Sequence, residues 1–434
     1  RNDPQLTNKY FSQSLALHIA FALTVFVLVE TVGLWFAHHK LVIPSDRMDA
    51  ALWVFHFSAI SLVFRLVKIC FESNVIARED MSIYAYLSVF EGIAKLMVCF
   101  AILHTSYDRL VVYGFLLLLI NICVFLFNVA YCWRKYPESH FRMFKDMAVY
   151  RELLSFVGAN SVGIIFYALG KQGMNIVLNM FFGPVVNGAK SIASNLERVA
   201  AQFGTNAALA VKPRIAKLYA QGRITEMVSL GEKSCKYIFF IQMLVGIPFF
   251  FETDTILDIW LKETPDYTSG FVKLMLLEML CNSIGGVFFN VTIATGRIKR
   301  AQIYGRTITL LSLPLACLAL YVWRHPYVPM YVLIVTSILY SAYIVVDANN
   351  MLHFGLWQFF WSVISPLFAT ICLVAISCYI IGYLNVSDIY ILDSFFRMMA
   401  MIMLALVIVF YVGLEPTDRN TILDLISKRI HMKV

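Results

Sequence analysis

The sequence predicts an all-α, polytopic membrane protein, a helical bundle of about twelve transmembrane helices. Three observations carry this. Of 434 residues, 60% are hydrophobic and 14% are charged, where a soluble domain carries about 25% charged residues. Apolar runs recur along the whole chain, each near the ~20 residues that a helix needs to cross a bilayer. Lys and Arg collect in alternate connections between those runs, as the positive-inside bias requires. The mean hydropathy of +0.74 does not fit a soluble protein with an oversized core. The net charge of +8 is read as an excess in connections on one side of the membrane, not as a nucleic-acid surface.

Apolar runs and turn signals place the helices near 12–37, 50–72, 83–104, 111–132, 151–182, 187–211, 234–252, 271–295, 303–323, 328–348, 361–384 and 395–414, each end good to about four residues. Leu6 to Tyr10 reads as the end of a linker before the first helix. The connections 1–11, 73–82, 133–151, 212–236, 297–306, 349–360 and 415–434 together hold 22 Lys and Arg. The connections 38–50, 104–110, 183–190, 252–270, 324–329 and 385–394 hold 6. The first set is therefore expected to face the cytoplasm, with both ends of this chain inside. The stretch 212–236 reads as the longest cytoplasmic connection, amphipathic and basic, either lying on the anionic leaflet or simply solvated. The connection 252–270 is acidic and turn-rich. No connection is long enough to form a soluble domain.

The nine cysteines show no CxxC pair and no metal-ligand spacing, and read as small residues in apolar runs. The chain begins Arg-Asn-Asp-Pro rather than Met, which suggests a segment of a longer protein.

The most polar membrane stretch is 158–213. It reads as two helices joined at Gly183-Pro184. Lys171 and Gln172 sit between Gly170 and Gly173 in an otherwise apolar helix. Asn160, Asn175, Asn179, Asn195 and Asn206 are spread over the pair, and Glu197 and Arg198 fall near the middle of the second helix. Charges at the centre of a bilayer cost roughly 2.5–3.5 kcal/mol on insertion scales, so they face a protein interior or a wet cavity. Lys171 reads as the deepest unpaired cation. Gly158, Gly163, Gly170 and Gly173 read either as hinges or as sites of close helix packing, and Gly285-Gly286 invites the same two readings.

Other ionisable residues also fall inside spans. Arg65, Lys68 and Glu72 share one helix face. Glu91 and Lys95 have the i, i+4 spacing of a helix ion pair. Glu30, Lys273, Glu278 and Asp347 are scattered. For Arg65 and Lys68, snorkelling to the interface is the competing reading. For Glu91 and Lys95 it is a neutralised structural pair, and for Arg198 a carboxylate on a neighbouring helix.

The segment NIVLNMFFGPVVNGAKSIASNLERVAAQFGTNAALAVKPRIAKLYAQG resembles the corresponding helix pair of bacterial polysaccharide, O-antigen-type flippases. These belong to the multidrug/oligosaccharidyl-lipid/polysaccharide exporter superfamily. The resemblance is strongest over 158–223 and topological elsewhere. It implies a fourteen-helix, two-lobe transporter of which this chain carries twelve helices. Residues 1–136 would be a remnant of the N-terminal lobe, 141–350 the C-terminal six-helix lobe, and 351–434 a trailing helix pair with a cytoplasmic tail. It implies an inner-membrane protein that moves undecaprenyl-pyrophosphate-linked repeat units for surface polysaccharide or lipopolysaccharide synthesis, beside polysaccharide assembly proteins and as a monomer. The pyrophosphate would meet a cationic cavity, with Lys171 and Arg198 from one lobe and Arg65, Lys68 and Lys95 from the other. Gln172, Asn175, Asn195 and Glu197 would line it, offering donors and acceptors to sugar hydroxyls. No cofactor is expected beyond coupling to some ion gradient. The competing function is a cation-coupled multidrug antiporter of the same superfamily, which favours a carboxylate-rich cavity. An enzyme is not expected: no nucleotide motif, metal cluster or nucleophile triad is legible.

Overall fold

The structure is a computed structural model and describes residues 4–78, 80–144, 146–297, 299–383, 390–420 and 423–424. Its elements are α1 (Pro4–Leu28), α2 (Leu34–His39), α3 (Met48–Ala77), α4 (Met81–Leu103), α5 (Arg109–Lys135), α6 (Met147–Ala220), α7 (Ile224–Phe251), α8 (Thr253–Trp260), α9 (Thr268–Ala294), α10 (Arg306–Val322), α11 (Val328–Leu352), α12 (Leu356–Phe359), α13 (Ser365–Ile381) and α14 (Tyr390–Ile408). Among the described residues, eleven helical stretches are long and apolar enough to span a membrane. The longest of them is broken at Gly183, where φ is 79° and ψ is −172°. Lys190 Nζ lies 2.6 Å from Asn175 Oδ1, fifteen residues earlier, whereas a straight helix would hold them about 22 Å apart. The helix therefore folds back as a hairpin, and the eleven stretches supply twelve arms. Pro184 opens the second arm, where its missing N–H costs nothing. The protein is a multi-pass, all-helical membrane protein.

The chain divides into two compact units, Arg1–Ala159 and Asn160–Val434. In the first unit α3 packs on α5 and α1, and α4 packs on α5. The expected linker at Leu6–Tyr10 is instead the first turns of α1. The reason is a set of polar partners invisible to an apolar-run search. Asn8 Nδ2 donates to the carbonyls of Glu138 and His140, each at 2.7 Å. Gln13 Nε2 donates to Asp146 O at 2.9 Å, and Lys9 pairs with Asp146 at 2.5 Å. Leu15, Phe71, Val75, Cys132 and Tyr136 form the apolar core beneath them. Tyr136, forced into an extended conformation before Pro137, ends α5.

Asp80, between α3 and α4, ties this end of the unit together. Its Oδ2 accepts from Lys135 Nζ at 2.5 Å, Tyr131 Oη at 2.6 Å and Tyr136 Oη at 2.8 Å. Those bonds, Lys135 foremost, hold its carboxyl well below the usual carboxylate range. A carboxyl whose folded value is depressed stabilises the fold fully above its unfolded value near pH ~4 and loses that contribution as pH falls toward the folded value. Thermal melting of the purified protein should thus be flat from neutral pH down to the carboxylate range and fall below it. Asp80→Asn should melt lower at neutral pH and respond less to acid. An unchanged acid response in Asp80→Asn would remove Asp80 from this role.

In the second unit α9 packs on α7 and α11, and α10 packs on α11. Phe239, Phe240, Met243, Phe288, Ile344 and Phe359 fill the core around α7, α9 and α11. The α6 hairpin packs through fully buried Ala189, Ala193 and Ala200, which with Met174, Leu178, Phe271 and Met275 make a second cluster. Small residues permit this close approach where lipid provides no hydrophobic drive. Gly170 and Gly173 serve the same end: a Cβ at Gly170 would lie 2.8 Å from Thr309 O, and one at Gly173 would lie 2.7 Å from Leu313 Cδ1. Helix α6 is unbroken through both, so close packing, not a hinge, accounts for them. Gly285 is packed likewise against Ser341, while Gly286 faces open space.

Two expected connections are shorter or more ordered than predicted. The stretch 212–236 is almost wholly helical, because α6 runs to Ala220 and α7 starts at Ile224. Gly222, with φ 72°, closes α6 by bonds from Gly222 N to Tyr219 O at 2.9 Å and from Arg223 N to Leu218 O at 3.0 Å, a Schellman closure. A basic amphipathic run there belongs to the ends of two helices rather than to a loop. The acidic connection 252–270 contains α8, and its Glu252 is buried, 3.0 Å from Arg397 Nε on α14. Beyond the C-terminal end of α14, Lys236 reaches Glu415 at 2.5 Å and Lys233 reaches Asp418 at 2.8 Å. Most of the expected C-terminal tail lies outside the described residues.

Of the cysteines, Cys70, Cys132, Cys235 and Cys378 are buried, while Cys99 and Cys123 are exposed. Those two sit on outward faces with Phe90, Leu96, Phe100 and Phe127, where apolar exposure suits lipid.

Candidate functional site

The densest group of membrane charges in the second unit stands on α6, α9 and α11. Lys171 Nζ on the first arm of α6 lies 3.0 Å from Glu278 Oε2 on α9. The other oxygen of Glu278 accepts from Ser337 Oγ on α11 at 2.6 Å. Lys171 is therefore not the unpaired cation that the sequence suggested. Glu278 is buried, and burying an ionised carboxylate requires this pairing. The partner lies 107 residues away, so no local spacing could reveal it.

A second cation stands beside this pair. Lys190 is 5% exposed and donates to Asn175 Oδ1 at 2.6 Å. Asn175 Nδ2 in turn donates to Gln172 Oε1 at 3.1 Å. No carboxylate lies within 4.0 Å of Lys190 among the described residues. Sequence reasoning missed Lys190 because it was assigned to the connection 183–190. That connection shrinks to a single residue, Gly183, so Lys190 enters the second arm two turns into the hairpin. The available signal was Pro184 itself, which favours the first position of a helix.

Glu197 is half-buried and close enough to interact with Lys171, Lys190 and Glu278. Arg198 and Asn195 are exposed, and Arg198 has no acid within 4.0 Å among the described residues. The side chains of 155–162, with Gly158 and Asn160, lie outside the described residues. The group holds three cations, Lys171, Lys190 and Arg198, against two carboxylates, Glu197 and Glu278. It is less one-sided than the sequence implied, because Glu278 joins it.

The first unit carries a separate set. Lys68 lies 2.9 Å from Glu72, and Lys95 lies 2.6 Å from Glu91. Arg65 is exposed, without an acid within 4.0 Å among the described residues, and the charges of Arg65 and Lys68 reach Glu91. Glu30 is held by His56 Nδ1 at 2.8 Å. Lys68 and Lys95 thus have neutralising partners, and Arg65 does not.

No family model matches the sequence, and no curated protein does. Solved structures do. One is "Lipid II flippase MurJ, inward closed conformation", with a TM-score of 0.64 over 93% of this chain and 84% of that chain, at 11% identity. Another is a multidrug resistance MATE family transporter in an outward-facing conformation, with a TM-score of 0.59 over 80% of this chain and 79% of that one, at 9% identity. A third is a MOP superfamily transporter from Pyrococcus furiosus, described by its reverse polarity of binding pocket, with a TM-score of 0.58 over 80% and 79% of the two chains, at 9% identity. The chain has the fold of a MOP-superfamily transporter. The neighbours that share the MOP fold are transporters, not enzymes. At these identities the likeness concerns the fold alone.

Proposed function

We propose that the protein moves a polyprenyl-pyrophosphate-linked oligosaccharide across the inner membrane by alternating access, serving surface polysaccharide synthesis. The observation that carries this reading is the buried Lys190 beside the Lys171–Glu278 pair, inside helices that otherwise suit lipid. A pyrophosphate brings about two negative charges that hydrocarbon cannot accept. Lys190 has an amide rather than an acid as its partner, so its charge remains available to an incoming phosphate oxygen. Lys171 and Arg198 add to that field, while Gln172, Asn175 and Asn195 offer hydrogen bonds to sugar hydroxyls. The resemblance over 158–223 and the fold shared with a lipid II flippase support the same reading. Arg65, Lys68 and Lys95 are proposed as phosphate contacts within the first unit, with Arg65 the freest of the three.

The test is made in cells lacking the native protein. Lipid-linked oligosaccharide is extracted and its accumulation on the cytoplasmic leaflet is measured. Wild type is expected to relieve accumulation. Lys190→Ala and Arg198→Ala, at matched membrane levels, are expected to leave it largely in place. Normal glycan without accumulation, in a strain with no redundant flippase, would turn attention to cation-coupled drug efflux. Full rescue by both variants would keep the flippase and discard this site.

A further inference from the structure

The sequence counts Arg306 with the connection 297–306, at the edge of the helix expected near 303–323; in the structure it stands at the start of α10, and its guanidinium sits inside an aromatic cage. Its Cζ is 4.6 Å from the ring centroid of Tyr167 on α6, 4.9 Å from that of Phe289 on α9 and 5.0 Å from that of Tyr340 on α11. Three helices therefore converge on this one side chain. Arg306 is half-buried, and among the described residues it makes no hydrogen bond and no ion pair. Arginine cannot shed its proton in a protein, and it carries five N–H donors in a fixed fork. Aromatic faces stabilise the positive charge but accept few of those hydrogen bonds.

A second group nearby lacks a partner too. The hydroxyl of Tyr340, a residue 3% exposed, is buried without a hydrogen-bond partner, although its ring forms one wall of the cage. Buried polar groups are almost always satisfied. A fork of free donors and an orphan hydroxyl at one place want the same thing, an acceptor-rich anion.

We infer that Arg306, with Tyr340, forms a binding site for a phosphate-class oxyanion. The rings stabilise the positive charge but leave the N–H donors without acceptors, and that fork is the one with which Arg binds phosphate. The site adjoins the lysine group. Tyr167 precedes Lys171 by four residues on α6, and Tyr340 follows Ser337 by three on α11, so on both helices the cage is one turn, about 5 Å, from the Lys171–Glu278–Ser337 network. A phosphate held at Arg306 would be staged one turn from the lysines. That last link rests on the proposed function; the oxyanion chemistry does not.

The experiment uses the whole purified chain in neutral detergent, titrated with inorganic pyrophosphate and then with a polyprenyl pyrophosphate, binding being followed by calorimetry. A parallel arm compares melting in nanodiscs of phosphatidylcholine with and without phosphatidylglycerol. Arg306→Gln should weaken phosphate binding by at least about tenfold, the size of one lost charge-assisted contact. Arg306→Lys, which keeps the charge but not the fork, should fall between it and wild type. Tyr340→Phe removes the orphan oxygen from the cage, and it should weaken binding while ligand-free melting stays unchanged or rises. It decides the matter if Arg306→Gln fails to fold. If only phosphatidylglycerol stabilises wild type, and does so through Arg306, the oxyanion site stands with a bulk lipid headgroup as its source. Responses to every probe that are identical in wild type, Arg306→Lys and Tyr340→Phe would overturn the site. Pyrophosphate binding through Arg306 without relief of lipid-linked accumulation in cells would retire the flippase and leave this site intact.

Discussion

Lys171→Ala is expected to cost about 3–5 kcal/mol of stability, because it leaves the buried Glu278 carboxylate without its cation. Only Ser337 Oγ, at 2.6 Å, would still hold that carboxylate. Adding Glu278→Gln should restore much of the loss, since the amide keeps an acceptor for Ser337 and carries no charge. Melting of the two single variants and the double variant in one detergent gives the coupling directly. Losses that simply add would show that the pair does not interact as drawn. The same cycle separates structure from transport. If Lys171→Ala loses transport and the double variant regains it, Lys171 serves to neutralise Glu278. If the double variant is stable but inactive, the amine itself is needed by the substrate. A single Lys171→Ala result, read alone, would confuse the two.

Gly183→Ala is expected to be the most damaging single-methyl change in the α6 hairpin. Its φ of 79° and ψ of −172° lie in a region open essentially to glycine alone, where any side chain costs about 1–3 kcal/mol. The backbone cannot relax without swinging the second arm, and with it Lys190 away from Asn175. The expected result is a lower yield of monodisperse protein and a lower melting temperature. Gly188→Ala is the control: it stands within the second arm, and a Cβ there meets nothing within 4 Å, so it should be neutral or slightly stabilising. Equal melting of Gly183→Ala and wild type would show that the reversal does not depend on this conformation.

Much of this architecture is legible in the chain itself. A helix in lipid must satisfy its own backbone, so each span writes itself as a continuous apolar run, and the twelve arms appear in order. Local pairs are legible for the same reason: the Glu91–Lys95 bridge follows from a spacing of four residues on one helix. The turn at Gly183-Pro184 is legible because few residue pairs can reverse a helix so tightly. The ends of helices are not. Polar side chains extend α1 to Pro4, past the limit of the apolar signal, and the tight reversal at Gly183 leaves no loop around Lys190, which the sequence counts with a connection.

The sequence by itself determined an all-helical membrane bundle, its span order and a polar central helix pair, since those follow from local composition and period. Only the tertiary structure decided which charges are spent on one another. Lys171 meets Glu278 across 107 residues, Glu252 meets Arg397 across 145, and Arg306 meets three rings from three other helices. In a medium of low dielectric the partner of a charge governs what it can do, and partners on different helices are set by packing, not by neighbours in the chain.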